Sequence, residues 1–294
     1  MSKRIRLIVN GKAAGNGQLR TLIAQARDKG HQISVRVTFE EGDAQRFAAE
    51  ALGQGLDSLV AVGGDGTLNE VLAGMLSKGP PQEAMGLLPM GTANDFAQGV
   101  GIGPDNLAKA LALVLNKTPR PIDVGLVNSR PFLNMVTGGF GSEVTVNTNP
   151  ELKQWLGKFS YFLTGLGKLF EFQPIAARLN RGDQAWEGRL MALAVGNGWQ
   201  AGGGIRLCPD ARLDDGLLDI TLLPENRQLG LLDMLDALAQ DGLRGHESWV
   251  ERRQAEQFVL EAEAPLHINL DGEPMTDTRF VFEVLPKALR FHLP

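Results

Sequence analysis

A single cysteine, Cys208, excludes an internal disulfide framework. The sequence also lacks any uninterrupted apolar run near the ~18 residues that a membrane-spanning helix needs. Its start, MSKRIRLIVNGK, has neither the apolar stretch nor the small-residue cleavage site of a secretory signal. Together these absences point to the reducing cytoplasm, with any lipid met from the water side and any contact with the inner face of the membrane peripheral and transient. A strong excess of either charge is absent as well. Lys plus Arg number 29 against 34 Asp plus Glu, a formal charge of -5. That balance gives no overall pull toward nucleic acid or anionic lipid, so no nucleic-acid partner is expected. The four histidines, His31, His246, His267 and His292, show no metal-ligand spacing and read as structural or surface residues. There is no internal repeat, no low-complexity stretch and nothing that implies an obligatory protein partner.

What is present is an ordinary globular composition, 43% hydrophobic and 21% charged, over 294 residues, which suits two packed domains better than one. The first ~125 residues alternate β-branched runs with helical patterns: IRLIV, a helix near Leu19 to Lys29, ISVRV, a helix near Asp43 to Gly53, SLVAV, a helix from Leu68 to Leu76, the run AMGLLPM, and a helix near Asp105 to Leu115. Such alternation implies a doubly wound α/β domain with a parallel sheet. TPRPIDVG reads as its exit, placing a boundary near residue 125. Beyond it the candidates are closely spaced strands, FLNMVT, RLMALAVG, LLDITLL and LHINL, so residues 126–283 read as a β-rich, sandwich-like domain. Helical patterns interrupt it at Glu151 to about Phe170 and at Leu229 to Leu243. The tail, about 284–294, is a candidate to return to the first domain.

The strongest local motif is Gly63-Gly64-Asp65-Gly66-Thr67, between the strand SLVAV and a helix beginning near Leu68. Glycines let main-chain N–H groups approach an anion, and the helix N-terminus adds partial positive charge. An aspartate beside phosphates implies a divalent cation between them, so Asp65 is expected to act through Mg²⁺. The plain alternative is a tight β-to-α turn. Leu88-Pro89-Met90-Gly91-Thr92-Ala93-Asn94-Asp95-Phe96 follows the next strand, and both loops should emerge at the carboxyl edge of the sheet, where ligands bind. Thr92 and Asn94 offer neutral hydrogen bonds. Asn10, Lys12 and Thr38, at the ends of the first two strands, should reach the same edge, Lys12 as a counter-charge for phosphate or merely as a solvated surface lysine.

GGDGT followed by LPMGTANDFA resembles the catalytic domains of diacylglycerol kinases and related lipid kinases. GGDGT alone is shared with NAD kinases, and a related loop occurs in phosphofructokinases, whose fold the first domain is expected to share; GTANDFA separates them. The resemblance continues through TGGFG (Thr137 to Gly141), VGNG (Val195 to Gly198), GGG (Gly202 to Gly204), CPDARLDDGLLDI (Cys208 to Ile220) and NLDGEP (Asn269 to Pro274), and is strongest toward the bacterial YegS-type branch. It implies an ATP- and Mg²⁺-dependent lipid kinase acting on a phosphatidylglycerol- or diacylglycerol-like hydroxyl. It implies ATP contacts at Asn10, Lys12, Thr38, Gly63, Gly64, Asp65, Gly66, Thr67, Leu68, Asn69, Glu70, Thr92 and Asn94. It further implies Glu273 as general base, and a structural Mg²⁺ or Ca²⁺ held by Asp215 with the carbonyls of Arg212 and Leu217. Without it, Asp271-Gly272-Glu273 is a hairpin turn and LDDG an acidic turn. Many members begin with Asn-Pro and a later Ser-Gly, where this chain has Asn10-Gly11-Lys12.

The segment Trp155 to Phe170 joins aromatic rings to Lys158 and Lys168, which suits either an interface-seeking helix or an amphipathic helix with its rings buried. Two rival functions share the nucleotide loop: a soluble NAD kinase-like enzyme, and a non-catalytic nucleotide or lipid sensor.

Overall fold

The computed structural model describes residues 2–138, 174–180, 185–202, 204–225 and 248–294. The chain forms two compact units, Met1–Val124 with Leu285–Pro294, and Gly125–Val284. In chain order the first contains β1 (Arg4–Val9), a 3-10 turn (Gly11–Ala13), α1 (Gly17–Asp28), β2 (Gln32–Val37), α2 (Asp43–Ala51), β3 (Ser58–Gly63), α3 (Asp65–Leu76), β4 (Ala84–Pro89), α4 (Asp95–Gly99), α5 (Leu107–Asn116) and the start of β5 (Arg120–Val127). The second contains β6 (Arg130–Phe132), β7 (Met135–Gly138), β8 (Ile175–Asn180), β9 (Trp186–Gly196), β10 (Leu218–Pro224), β11 (Glu251–Ala255), β12 (Gln257–Leu270) and most of β13 (Glu273–Phe291). The patterns at Glu151 to Phe170 and Leu229 to Leu243, with His246, lie outside the described residues.

In the first unit β4, β3, β1 and β2 lie side by side and parallel. Every residue of β3 (SLVAVG) and β4 (AMGLLP) is buried, the signature of strands covered on both faces. Helices supply the cover. In α1 the buried residues Leu19, Ile23 and Ala26 recur at helical spacing, and Asn16 caps the helix by accepting the Leu19 N–H at 2.9 Å. Asn106 caps α5 in the same way, at 2.9 Å from the Lys109 N–H.

Three local expectations shift. Helix α3 starts at Asp65, not Leu68, because Gly64 serves as N-cap and its carbonyl accepts the Leu68 N–H at 3.0 Å. FLNMVT breaks into β6 and β7, since the amides of Leu133 and Asn134 turn to the carboxylate of Asp271. TPRPIDVG leaves the first unit as strand rather than as a turn, since most of it is β5, whose Asp123, fully buried, accepts the Lys287 N–H at 2.7 Å.

The second unit is antiparallel throughout its described pairings. Strands β8 and β7 each pair with both β9 and β12, at opposite ends of those longer strands. Alternating burial along β12 (QFVLEAEAPLHINL) directs Leu266, Ile268 and Leu270 into the core, where Phe258 stacks on Phe282 with ring centroids 4.6 Å apart.

The C-terminal segment completes the first unit. Phe291 registers with Met85 of β4, the His292 N–H donates to the Met85 carbonyl at 2.9 Å, and Phe291 meets Phe96 of α4 edge to face at 5.3 Å. The His292 ring, 1% exposed, lies 2.9 Å through Nε2 from the Ser58 hydroxyl. Burial, helped by the nearby Lys3 charge, pushes its pKa down to about 4. The folded state therefore keeps His292 neutral, whereas an unfolded chain protonates it below its ordinary value near ~6.5. The unfolded state then binds the extra proton, so this contribution to stability is complete above that value and is lost as pH falls toward 4. Denaturation midpoints should drop across that window, and the drop should be smaller in His292→Gln, measured by urea titration at several pH values.

Candidate functional site

Four loops leave the carboxyl ends of β1 to β4, and short hydrogen bonds tie them together. The Asn10 N–H donates to the Val62 carbonyl at 2.9 Å, and the Asn10 side-chain amide donates to Thr67 Oγ1 at 3.1 Å. Asn10 Oδ1 accepts the Lys12 N–H at 3.1 Å, and the Lys12 side chain is exposed at the rim. Gly11 donates its N–H to Thr38 Oγ1 at 3.1 Å, and Thr38 donates its own to the Val9 carbonyl at 2.9 Å. The segment after Thr38 is pinned by Asp43, which accepts the Phe39 N–H at 2.8 Å and pairs with Arg46. The Phe39 amide, then the Arg46 side chain, hold the Asp43 carboxyl below the usual carboxylate range.

The junction between the third and fourth loops is the tightest. A Cβ built on Gly91 would lie 2.4 Å from the Cα of Gly64, so the two backbones meet with no room for any side chain. The Met90 N–H donates to the Gly63 carbonyl at 2.7 Å beside that contact. Asp65, the first residue of α3, reaches across. Its Oδ2 accepts the Asp95 N–H at 3.1 Å and its Oδ1 the Phe96 N–H at 3.3 Å, so it caps α4 from thirty residues upstream. Asn94 takes a left-handed conformation, φ 50°, and closes the turn by accepting the Gly91 N–H at 2.9 Å and donating to the Gly91 carbonyl at 2.8 Å. Its amide shapes the loop; Thr92 is exposed beside it.

The sequence-predicted residues thus divide by position. Asn10, Thr38, Gly63, Gly64, Asp65, Thr67 and Asn94 belong to one hydrogen-bonded edge, with Lys12 and Thr92 exposed on it. Gly66, Leu68, Asn69 and Glu70 continue α3; Leu68 is 2% exposed, so its side chain is core. Helix α3 has no side-chain N-cap, which gives its first turn the character of an anion site.

Glu273 and Asp215 belong to the second unit. Glu273, half-buried, opens β13 opposite Leu270, after a two-residue loop in which Asp271 (φ 47°) and Gly272 (φ 104°) both take positive φ. Asp215 is exposed and accepts the Leu217 N–H at 3.1 Å. Asp219, four residues on from Asp215, is pushed up to about 6 by burial, opposed by Gln254 and reinforced by the charges of Asp215 and Asp210. Among the described residues no cluster of three His, Cys, Asp or Glu is poised on a metal. The implied set is nonetheless all oxygen, one carboxylate and two carbonyls in a field of negative charge, and that fits a hard divalent cation. Cys208 is 1% exposed, and burial raises its thiol to about 12, an inert packed group. Sequence reasoning passed over Gly91 as a contact and Asp271 as a ligand of backbone amides. The DG dipeptide indicated a turn but not what its carboxylate holds.

Comparison with known proteins places this geometry. Residues 4–127 match the family model described as the diacylglycerol kinase catalytic domain, and residues 134–293 match the YegS C-terminal NAD kinase β-sandwich-like domain. A probable lipid kinase YegS-like protein of Pseudomonas aeruginosa strain UCBPP-PA14 is 48% identical over 99% of this chain and 94% of its own length. One from Alcanivorax borkumensis is 41% identical over all of this chain and 98% of its own length. The crystal structure of a putative diacylglycerol kinase from Bacillus anthracis superposes with a TM-score of 0.82 at 27% identity, over 99% of this chain and 97% of that one.

The glycine junction is directly testable. Gly91→Ala should push the loops apart, costing ~1 to 3 kcal/mol of stability by overpacking and lowering affinity for ATP, whereas Gly103→Ala, with open space around it, should change neither. Calorimetry on both variants checks the contrast.

Proposed function

This chain belongs to the diacylglycerol kinase catalytic family, in its YegS-like branch, and from that membership we propose that it transfers the γ-phosphoryl group of ATP, with Mg²⁺, to the hydroxyl of a phosphatidylglycerol- or diacylglycerol-like lipid. The observation that carries the reading is the junction of Gly64 and Gly91, with Asp65 bridging to α4. It leaves backbone, a helix N-terminus and a carboxylate at the carboxyl edge of a parallel sheet, which are the elements needed for a metal-bound triphosphate.

In this mechanism the first turn of α3 and the hydroxyls of Thr38 and Thr92 bind the nucleotide, and Lys12 supplies a mobile positive charge for its phosphates. Asn94 contributes through the loop it holds. Mg²⁺, held at the carboxylate of Asp65, would neutralise charge on the phosphates as the phosphoryl group moves. Glu273 orients the acceptor hydroxyl and takes its proton as the oxygen attacks the γ-phosphorus in line. The O–H and the β–γ bridging P–O bonds break, a new P–O bond forms, and ADP leaves. Asp215, with the carbonyls of Arg212 and Leu217, would hold a second, structural cation that stiffens the loop entering β10. The described residues contain no helix long and apolar enough to cross a membrane, and the proposed encounter with lipid is at the membrane surface.

Purified protein incubated with Mg²⁺ and γ-labelled ATP against mixed micelles of diacylglycerol or phosphatidylglycerol should put label into the organic phase. Label on NAD alone, in a parallel tube, would overturn the lipid reading. Glu273→Gln should lower turnover by ~10² to 10⁴. Asp65→Asn keeps an acceptor for the α4 amides but removes the charge, so it should lose turnover on a similar scale while melting close to the parent. Full activity in that variant would deny Asp65 a role with the cation.

A further inference from the structure

Three consecutive backbone amides converge on one carboxylate beside the proposed base. Asp271 Oδ2 accepts the Leu133 N–H at 2.6 Å and Oδ1 accepts the Met135 N–H at 2.8 Å, with the Asn134 N–H at 3.2 Å from both oxygens. The Asp271 N–H in turn donates to the Met135 carbonyl at 3.1 Å. The turn is braced from its other side, where Asn269 Oδ1 accepts the Gly272 N–H at 2.8 Å.

The strand break that Asp271 holds is itself built into the core. Asn134, 7% exposed, accepts the N–H groups of Asn197 and Gly198 on its carbonyl at 3.0 and 2.7 Å, and its side chain donates to the Gln200 carbonyl at 3.0 Å. Asn197, fully buried, donates its side-chain amide to the Leu133 carbonyl at 2.8 Å. The path from Glu273 back through Gly272 and Asp271 to Leu133, Asn134 and Asn197 is therefore a continuous polar framework, all of it within the second unit.

An ordinary Asp-Gly hairpin turn needs none of this. Aspartate and glycine satisfy the positive φ angles by themselves. A carboxylate that accepts three amides is an acceptor-only group in the one protonation state that can do so, and such charge-assisted bonds are roughly twice as strong as neutral ones. The geometry points to Asp271 as the positioning residue for Glu273: by clamping the turn to the Phe132–Met135 chain it sets the place from which the base addresses the acceptor hydroxyl. This deepens the proposed function and rests on Glu273 acting as base.

A double-mutant comparison tests it, with diacylglycerol or phosphatidylglycerol in mixed micelles as acceptor, whichever takes label. Asp271→Asn places N–H groups against N–H donors, so it should lower kcat by ~10² while KM for ATP stays within about twofold. In a Glu273→Gln background the same change should cost less than about threefold more, because a turn that aims a missing base has nothing left to aim. Losses that multiply, or an Asp271→Asn enzyme with parental kcat, would overturn the positioning role while leaving Glu273 as base intact. Parental turnover in Glu273→Gln alone would remove the base and the positioning role together. Hydrogen exchange supplies a readout independent of acceptor: the amides of Leu133, Asn134 and Met135 should exchange at least tenfold faster in Asp271→Asn, and unchanged protection would sink the clamp. Where Asp271→Asn fails to fold, Asn269→Ala removes only the brace on Gly272 and should lower kcat severalfold at unchanged KM for ATP; parental kcat there would count against the framework.

Discussion

Two glycine faces pressed together organise the first unit. β3 and β4 are neighbouring parallel strands, so their loops emerge about one strand spacing apart, ~4.8 Å. The loops then approach much closer than the strands do, near enough that a Cβ on Gly91 would lie 2.4 Å from the Gly64 Cα, so they join where both lack side chains. The contact leaves main chain bare at the carboxyl edge of the sheet and brings the α4 amides within reach of Asp65. That carboxylate fastens the fourth loop, and in the proposed mechanism it also presents negative charge for a cation. Under that proposal an acidic residue can stand in a loop that binds phosphate without an unfavourable contact.

The edge is rigid because it is tied from several directions. Asn10 joins the first loop to the third through Thr67, Thr38 joins the first to the second through Gly11, and Phe96 anchors the fourth against Phe291 of the returning C-terminal strand. That last element comes from the far end of the chain, so the loop following β4 depends on residues about two hundred positions downstream. Burial of His292 against Ser58 belongs to the same closure and makes it sensitive to acid.

The second unit solves a different problem. In the proposed mechanism a carboxylate base must be held in place yet stay partly accessible, and half-buried Glu273 sits at the start of a strand directly after a two-residue loop, which on its own is a compliant place. The buried asparagines Asn134 and Asn197 convert it into a stiff one, their side-chain amides and backbones linking the β6–β7 break to the loop after β9. Buried polar groups of this kind are costly unless bonded, and bonded they specify a single arrangement.

Much of this was legible in the chain. The β-branched runs and helical periodicity marked the parallel sheet, the change to closely spaced strands marked the β-rich half, and the glycine-aspartate loop paired with GTANDFA identified the family and the edge of the sheet that carries it. These features are local, or repeat at the period of one element, and such patterns follow from backbone geometry and burial alone. Tertiary structure alone decided that α3 begins at Asp65, that Asp65 caps α4, that Asn94 closes on Gly91 rather than pointing outward, that FLNMVT breaks at Asn134, and that a DG turn clamps three amides. The first turn of α3 and the Asn94–Gly91 turn are local bonds chosen among alternatives by the packing around them, and the others join partners that meet only after the sheets have formed. A sequence states which groups can donate, accept or stay small, and the folded chain states which of them are within three ångströms of one another.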